Sequence, residues 1–232
     1  MKKGMMIVLA VFLAVVNSNA QSRETRNVDG FTKVSFGISG DLSIDFGSDF
    51  KVVLEGDEDD LDEIITEVSR DRLIIRHDRN NWHFSDHGKI KVHVTMPDIT
   101  GLSVSGSGKA EITEAIKEAD NLELSVSGSG RILATDITAD NLNCNISGSG
   151  NIDIEGVGNA DRGEISISGS GNYSGDMMEI DHLGIRLSGS GNCTCKVGDE
   201  LSASVSGSGN VNYSGRPSVD ARVSGSGKVR SR

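Results

Sequence analysis

The stretch Leu124-Ser125-Val126-Ser127-Gly128-Ser129-Gly130 returns 20 residues later as Cys144-Asn145-Ile146-Ser147-Gly148-Ser149-Gly150. In all, Ser-Gly-Ser-Gly occurs seven times in the 232-residue chain, starting at Ser105, Ser127, Ser147, Ser168, Ser188, Ser206 and Ser224. Successive copies begin 22, 20, 21, 20, 18 and 18 residues apart. A period near 20 residues marks a repeat architecture, in which each unit buries its apolar side chains only against its neighbours.

Aligning the copies on their first serine exposes columns. One residue before it stand Val104, Val126, Ile146, Ile167, Leu187, Val205 and Val223. Three before it stand Leu102, Leu124, Cys144, Ile165, Ile185, Ala203 and Ala221, with Ser, Asn or Arg in between. Past the motif, apolar side chains return at Ala110, Ile132, Ile152, Tyr173, Cys193, Val211 and Val229. Alternation with period two is a β-strand with one buried face.

Each unit therefore reads as strand, tight corner, strand and a more variable return. Fourteen of the 29 glycines fall in the corners, where freedom at positive φ suits a bend that recurs in every coil. Stacking in register gives parallel sheets and continuous inner ladders: an all-β fold, a single parallel β-helix or β-solenoid. At ordinary strand spacing, seven coils span roughly 30 Å. A propeller blade needs about 40–50 residues, and the L-x-x-L-x-L spacing of leucine-rich repeats is absent. A flexible Gly/Ser linker is excluded by the ordered alternation around each motif.

Just after each motif stand Lys109, Arg131, Asn151, Asn172, Asn192, Asn210 and Lys228. Four successive Asn predict a stacked amide ladder, and the cations in the column turn it toward water.

The chain divides into a signal peptide over residues 1–20, irregular β coils continuous with the solenoid over 21–100, and the repeat β-helix over 101–232. Lys2 and Lys3, the short apolar stretch Met5 to Val16 and the small-x-small site Ser18-Asn19-Ala20 mark the signal peptide. That apolar run is too short to span a bilayer. The expectation is an exported protein with no membrane span. In residues 21–100, strands are expected at Phe31–Phe36, Leu42–Phe46, Phe50–Leu54, Leu73–Arg76 and Ile90–Met96. Gly37-Ile38-Ser39-Gly40 is a degenerate corner. Asp59 to Val68 reads either as a short helix or as an acidic turn entering a strand.

Net charge is −11, with twelve acidic side chains between Asp41 and Asp71. An acidic chain without basic stripes argues against nucleic-acid binding. The segment from Arg216 onward is basic, ending in Lys228-Val229-Arg230-Ser231-Arg232. Either these charges guard an open sheet edge, or a second subunit pairs with it and makes a homo-oligomer.

Catalytic signatures are missing. The motif serines are equivalent and have no histidine near them in sequence, and no G-x-S-x-G or H-E-x-x-H occurs. Cys144, Cys193 and Cys195 sit in apolar columns and read as core thiols, not as a metal or redox pair. Asp57, Glu58, Asp59, Asp60, Asp62 and Glu63 carry oxygen ligands for Ca²⁺ but read as a solvated acidic turn. The segment His77 to His87 holds three of the five histidines and the sole tryptophan, Trp82. It reads as a protruding loop that is plainly solvated, contacts a partner, or holds a metal through His83, Asp86 and His87. The corner glycines could also form anion-binding nests. No catalytic, cofactor or metal residue is assigned, and no ligand-binding residue can be named.

The repeats, together with Asn27-Val28-Asp29-Gly30-Phe31-Thr32-Lys33-Val34 and Ile65-Thr66-Glu67-Val68…Leu73-Ile74-Ile75, resemble the autotransporter-adhesin head GIN domain family of Bacteroidetes. The resemblance runs from about Asn27 to Arg230. It implies a right-handed β-helix similar to pectin-lyase-like solenoids, with GSG motifs at the tight turns. It also implies a role in cell adhesion, as an oligomer. No motif carries over pectin-lyase-like catalytic residues.

The reading that follows is a non-enzymatic, adhesin-like protein binding protein or glycan at the envelope, in the periplasm or at the surface of a Gram-negative bacterium. Its rivals are a polysaccharide-acting β-helix enzyme and a periplasmic structural protein without external ligand.

Overall fold

Apolar side chains that alternate along a strand need something to face, and the next coil supplies it. The computed structural model describes residues 22–78 and 89–232. It forms a β-solenoid of about 7 turns with roughly 20 residues per turn. The signal-peptide segment 1–20 lies outside the described residues, as do Trp82, His83, Asp86 and His87 of the His77–His87 loop.

The strands β1 (Ser22–Arg26), β2 (Lys33–Gly37), β3 (Gly40–Phe46) and β4 (Lys51–Gly56) precede a short helix α1 (Glu58–Asp62). After it come β5 (Ile64–Ser69), β6 (Arg72–His77) and β7 (Ile90–Met96). The repeats start with β8 (Gly101–Gly106), β9 (Lys109–Ile112), β10 (Ile116–Gly128), β11 (Arg131–Ala134), β12 (Ile137–Gly148) and β13 (Asn151–Ile154). They continue through β14 (Gly158–Gly169), β15 (Asn172–Gly189), β16 (Asn192–Gly207), β17 (Asn210–Gly215), β18 (Ser218–Gly225) and β19 (Lys228–Ser231).

The sequence columns become ladders. Val104, Val126, Ile146, Ile167, Leu187, Val205 and Val223 pair in parallel register from coil to coil. All except Val223 are at most 2% exposed. Cys144, Cys193 and Cys195 are buried and free, as their columns predict. Each Ile or Leu held inside in this way contributes about 1.5–3 kcal/mol of transfer free energy.

The returns are more regular than the sequence reading allows. They are largely strand, broken for two or three residues in the other coils, and in β15 and β16 the strand runs unbroken from one corner to the next. An extra inner column explains this: Leu122, Leu142, Leu183 and Leu201 are buried, with Gly163 in line between them. Its signal was in the sequence, at a fixed five residues before each first serine.

The corners stack as one seam, with every first serine paired to its equivalent in the neighbouring coil. Gly148 shows why the residue must be glycine. Its φ is +115°, and a Cβ there would lie 2.6 Å from the carbonyl oxygen of Gly128. The corner N–H groups of Ser129, Ser149, Ser170 and Ser190 each donate to the preceding coil's glycine carbonyl at 2.8 Å. Those donors are spent within the stack, which removes the anion-binding nest.

The amide ladder also forms. Asn172 Nδ2 donates to Asn151 Oδ1 at 3.0 Å, Asn192 to Asn172 at 3.0 Å and Asn210 to Asn192 at 3.1 Å.

The N-terminal part departs from a simple series of coils. The β2–β3 coil lies between the β6–β7 coil and the β8–β9 coil. The degenerate corner joins the seam through Ser39 Oγ and Ser107 Oγ, 2.9 Å apart. Beyond β6 and β7 the pairing turns antiparallel: β5 adds to β6, β4 to β7 and β1 to β4. The two-residue β5–β6 hairpin can pair only that way, whereas β4 with β7 and β1 with β4 are brought together across longer stretches of chain. Both readings of Asp59 to Val68 hold in part, because α1 is followed directly by β5. Leu61 of α1 is fully buried and packs over Gly56 and Ile90, closing that end of the core. At the opposite end, no described strand lies beyond β18 and β19.

Candidate binding face

The strands leading into the corners turn polar side chains outward, and four surface depressions adjoin on that face, while another of about 240 Å³ lies apart from them beside Ser43 and His93. The largest, about 1080 Å³, is lined by Lys33, Thr100, Glu123, Asn143 and Asn145. Its neighbour of about 430 Å³ shares Asn143 and adds Arg162, Glu164 and His182. A third, about 390 Å³, shares Asn145 and adds Ser166, Arg186 and Ser204. A fourth, about 220 Å³, runs on through Glu164 and Arg186 to Asp220 and Arg222. Because the residues are shared, the four form one trough crossing the strands.

The trough exists because this sheet is built of small outward side chains. Ser103, Ser125, Asn145, Ser166, Arg186, Ser204 and Arg222 form one outward row. One wall is raised by the first repeat coil, which at 22 residues has the longest spacing of the series. Its extra residues lie in the β9–β10 connection and in a bulge at the start of β10, where the register shifts between Ile116 and Ala119 and Glu118 sits at φ 56°. Phe46 is the aromatic side chain of the lining.

Some charges in the trough are paired. Arg186 meets Glu164 at 2.8 Å, and His182 lies 3.7 Å from Glu200. Lys33 bonds Asp71 at 2.8 Å, which holds that carboxyl below its ordinary value of 3.8. The largest depression is lined by Asp98, Glu114, Glu118, Asp120 and Glu123 against Lys33 and Lys117, so the face offers hydroxyls, amides and an excess of carboxylate, and suits a neutral polar ligand better than a polyanion.

A second cluster lies on the other side of the corners. Ser43 Oγ is 2.8 Å from His93 Nδ1, and His93 Nε2 is 3.6 Å from Glu55 Oε2. Sequence reasoning missed it because no local spacing signals it. The β3–β7 register brings Ser43 opposite His93. The order hydroxyl, imidazole, carboxylate is that of an activated nucleophile. Strands on both sides occupy β3 and β7, however, so the backbone N–H groups there serve the ladders and leave no oxyanion donor.

The other sequence candidates do not assemble into a site. Among the described residues, no three His, Cys, Asp or Glu side chains are grouped to hold a metal ion. Glu58, Asp59 and Asp60 lie in the first turn of α1, where negative charge favours the helix N-terminus. No described helix is long and apolar enough to cross a membrane.

The profile of the family described as "Putative auto-transporter adhesin, head GIN domain" matches residues 30–217. The chain belongs to this family. A head GIN domain is therefore the setting for both the trough and the Ser43–His93 cluster. No curated protein matches the chain.

Solved structures share the fold. A "putative adhesin" from Bacteroides fragilis NCTC 9343 superposes with TM-score 0.83 at 21% identity, covering 93% of this chain and 98% of that one. Another from Parabacteroides distasonis ATCC 8503 gives TM-score 0.75 at 22% identity, covering 91% and 97%. A chain from the same organism called a "putative lipid binding protein" gives 0.73 at 20% identity, covering 93% and 98%. At these identities the likeness concerns the head GIN fold itself.

Proposed function

We propose that this head GIN protein is an exported, non-enzymatic, adhesin-like binding module that contacts a protein or glycan ligand at the cell envelope. One observation carries the reading: four adjoining depressions merge into a polar trough on a single face of a rigid sheet. Sheets held by neighbours on both sides present side chains in a fixed array, and such preorganisation favours binding. A neutral glycan or an extended polar peptide segment fits the hydroxyls and amides. With one aromatic in the lining, the trough gives a glycan little to stack on, which favours protein.

The test is binding of the labelled protein to immobilised envelope glycans and envelope proteins, read by interferometry. Asn145→Trp and Ser204→Trp, which fill the trough, should abolish the signal. Ser174→Trp, on the face beyond the corners, should leave it intact. Binding indifferent to all three would exclude the trough. Protease shaving of intact cells then separates surface from periplasm.

The Ser43–His93–Glu55 contact favours one rival, a hydrolase acting on polysaccharide esters. Turnover of an acylated polysaccharide that Ser43→Ala removes would establish it.

A further inference from the structure

The whole of β18 is exposed, although its inner residues continue the core ladders. Val219, Ala221 and Val223 pair with the buried Leu201, Ala203 and Val205 of β16. Yet Val219 is 41% and Val223 44% exposed, because no described strand lies beyond them. An unprotected edge with apolar side chains beneath it is a template for another strand.

The sequence of that edge is a palindrome in character: Ser218-Val219-Asp220-Ala221-Arg222-Val223-Ser224. We propose that β18 pairs antiparallel with β18 of a second copy of this chain, about a twofold axis through Ala221, closing the open end of both solenoids. In that register Val219 faces the partner's Val223 on the inner side, and Asp220 faces the partner's Arg222 on the outer side. Serines meet at both ends.

Register is selected by charge and by pleat. A shift of one residue sets each inward valine opposite an outward polar residue, against the pleat. A shift of two sets Asp220 against the partner's Asp220, or Arg222 against the partner's Arg222. Within one copy, Asp220 and Arg222 are 3.8 Å apart with side chains 68% and 84% exposed, a weak pair that is free to exchange. No other coil carries an acid and a cation at these two positions: β14 has Glu164 and Ser166, β15 has Gly184 and Arg186, and β16 has Ser202 and Ser204. Antiparallel order also sends the two corners to opposite ends of the seam, which separates the two basic β19 strands. A twofold contact of this kind is closed and stops at the dimer.

Sedimentation across a concentration series tests the assignment, with circular dichroism confirming that each variant is folded. The parent protein should reach a dimer and stop there. Asp220→Arg or Arg222→Asp alone sets like charges opposite at two places and should weaken the dimer about tenfold. The double swap D220R/R222D should restore it. Val223→Lys, which puts a cation into the apolar seam, should give monomer. Four results would overturn the proposal: a monomer at every concentration, a polymer that lengthens with concentration, single variants that dimerise like the parent, or a double swap that fails to recover.

Discussion

Among the described residues, Tyr173 is the largest side chain fully sealed in the core, and its hydroxyl has no hydrogen-bond partner there. It lies beside Gly175, where a Cβ would come within 2.5 Å of the hydroxyl oxygen. The thiols of Cys144, Cys193 and Cys195 are near enough to oppose its ionisation, after burial itself, and its pKa stands well above the ordinary 10.0. An unpaired buried hydroxyl costs about 1–3 kcal/mol. Tyr173→Phe should therefore unfold at the same or higher denaturant concentration, where an ordinary core change would lose stability. The pH dependence has a definite sign. The unfolded chain ionises this phenol near pH 10 while the folded chain keeps it neutral, so its contribution is complete below that pH and falls away above it. Denaturant titrations from pH 8 to 11 should show a shallower alkaline loss in the Phe variant than in the parent; equal slopes would remove Tyr173 from that account. The three cysteines were legible as core because their columns carry aliphatic residues in other coils. The orphan hydroxyl was not, since column membership says where a side chain points and not what its polar atom meets.

Elements show where local chemistry and tertiary demand disagree. Arg70 opens the two-residue β5–β6 hairpin, in which Ser69 pairs with Arg72. Its φ is 60°, a left-handed conformation that costs a side-chain residue about 1–2 kcal/mol and that glycine adopts freely. Arg70→Gly should raise the unfolding free energy by about 1 kcal/mol, less what glycine adds to unfolded-chain entropy. A drop in melting temperature would contradict this. The repeat strands could be read from period two alone, and β7 falls where its pattern put it. β1, β4 and β5 pair antiparallel for reasons outside their own residues. A two-residue turn forces the direction of β5 against β6, and β1 and β4 cover the end of the solenoid.

Across the whole molecule, stability passes from coil to coil, because each coil touches only its neighbours. The end closed by β1, β4, β5 and α1 holds Leu54, Leu61 and Ile64 at 3% exposure or less, while the other end leaves β18 open. Hydrogen exchange in dilute solution should reach β18 and β19 first and progress toward β14, with the central coils last. Uniform exchange along the axis would show that the solenoid opens as one unit. Raising the protein concentration should protect β18 selectively.

By itself, the recurrence of Ser-Gly-Ser-Gly among alternating side chains determined the coil, its corners, its inner ladders and the burial of its thiols. Those features repeat locally, so each copy states the same geometry again. Only the tertiary structure decided that β2–β3 lies between later coils, that Ser43 meets His93, and that outward polar rows merge into a trough. These depend on contacts between residues many positions apart, whose partners are chosen by how coils stack and not by anything in their own neighbourhoods.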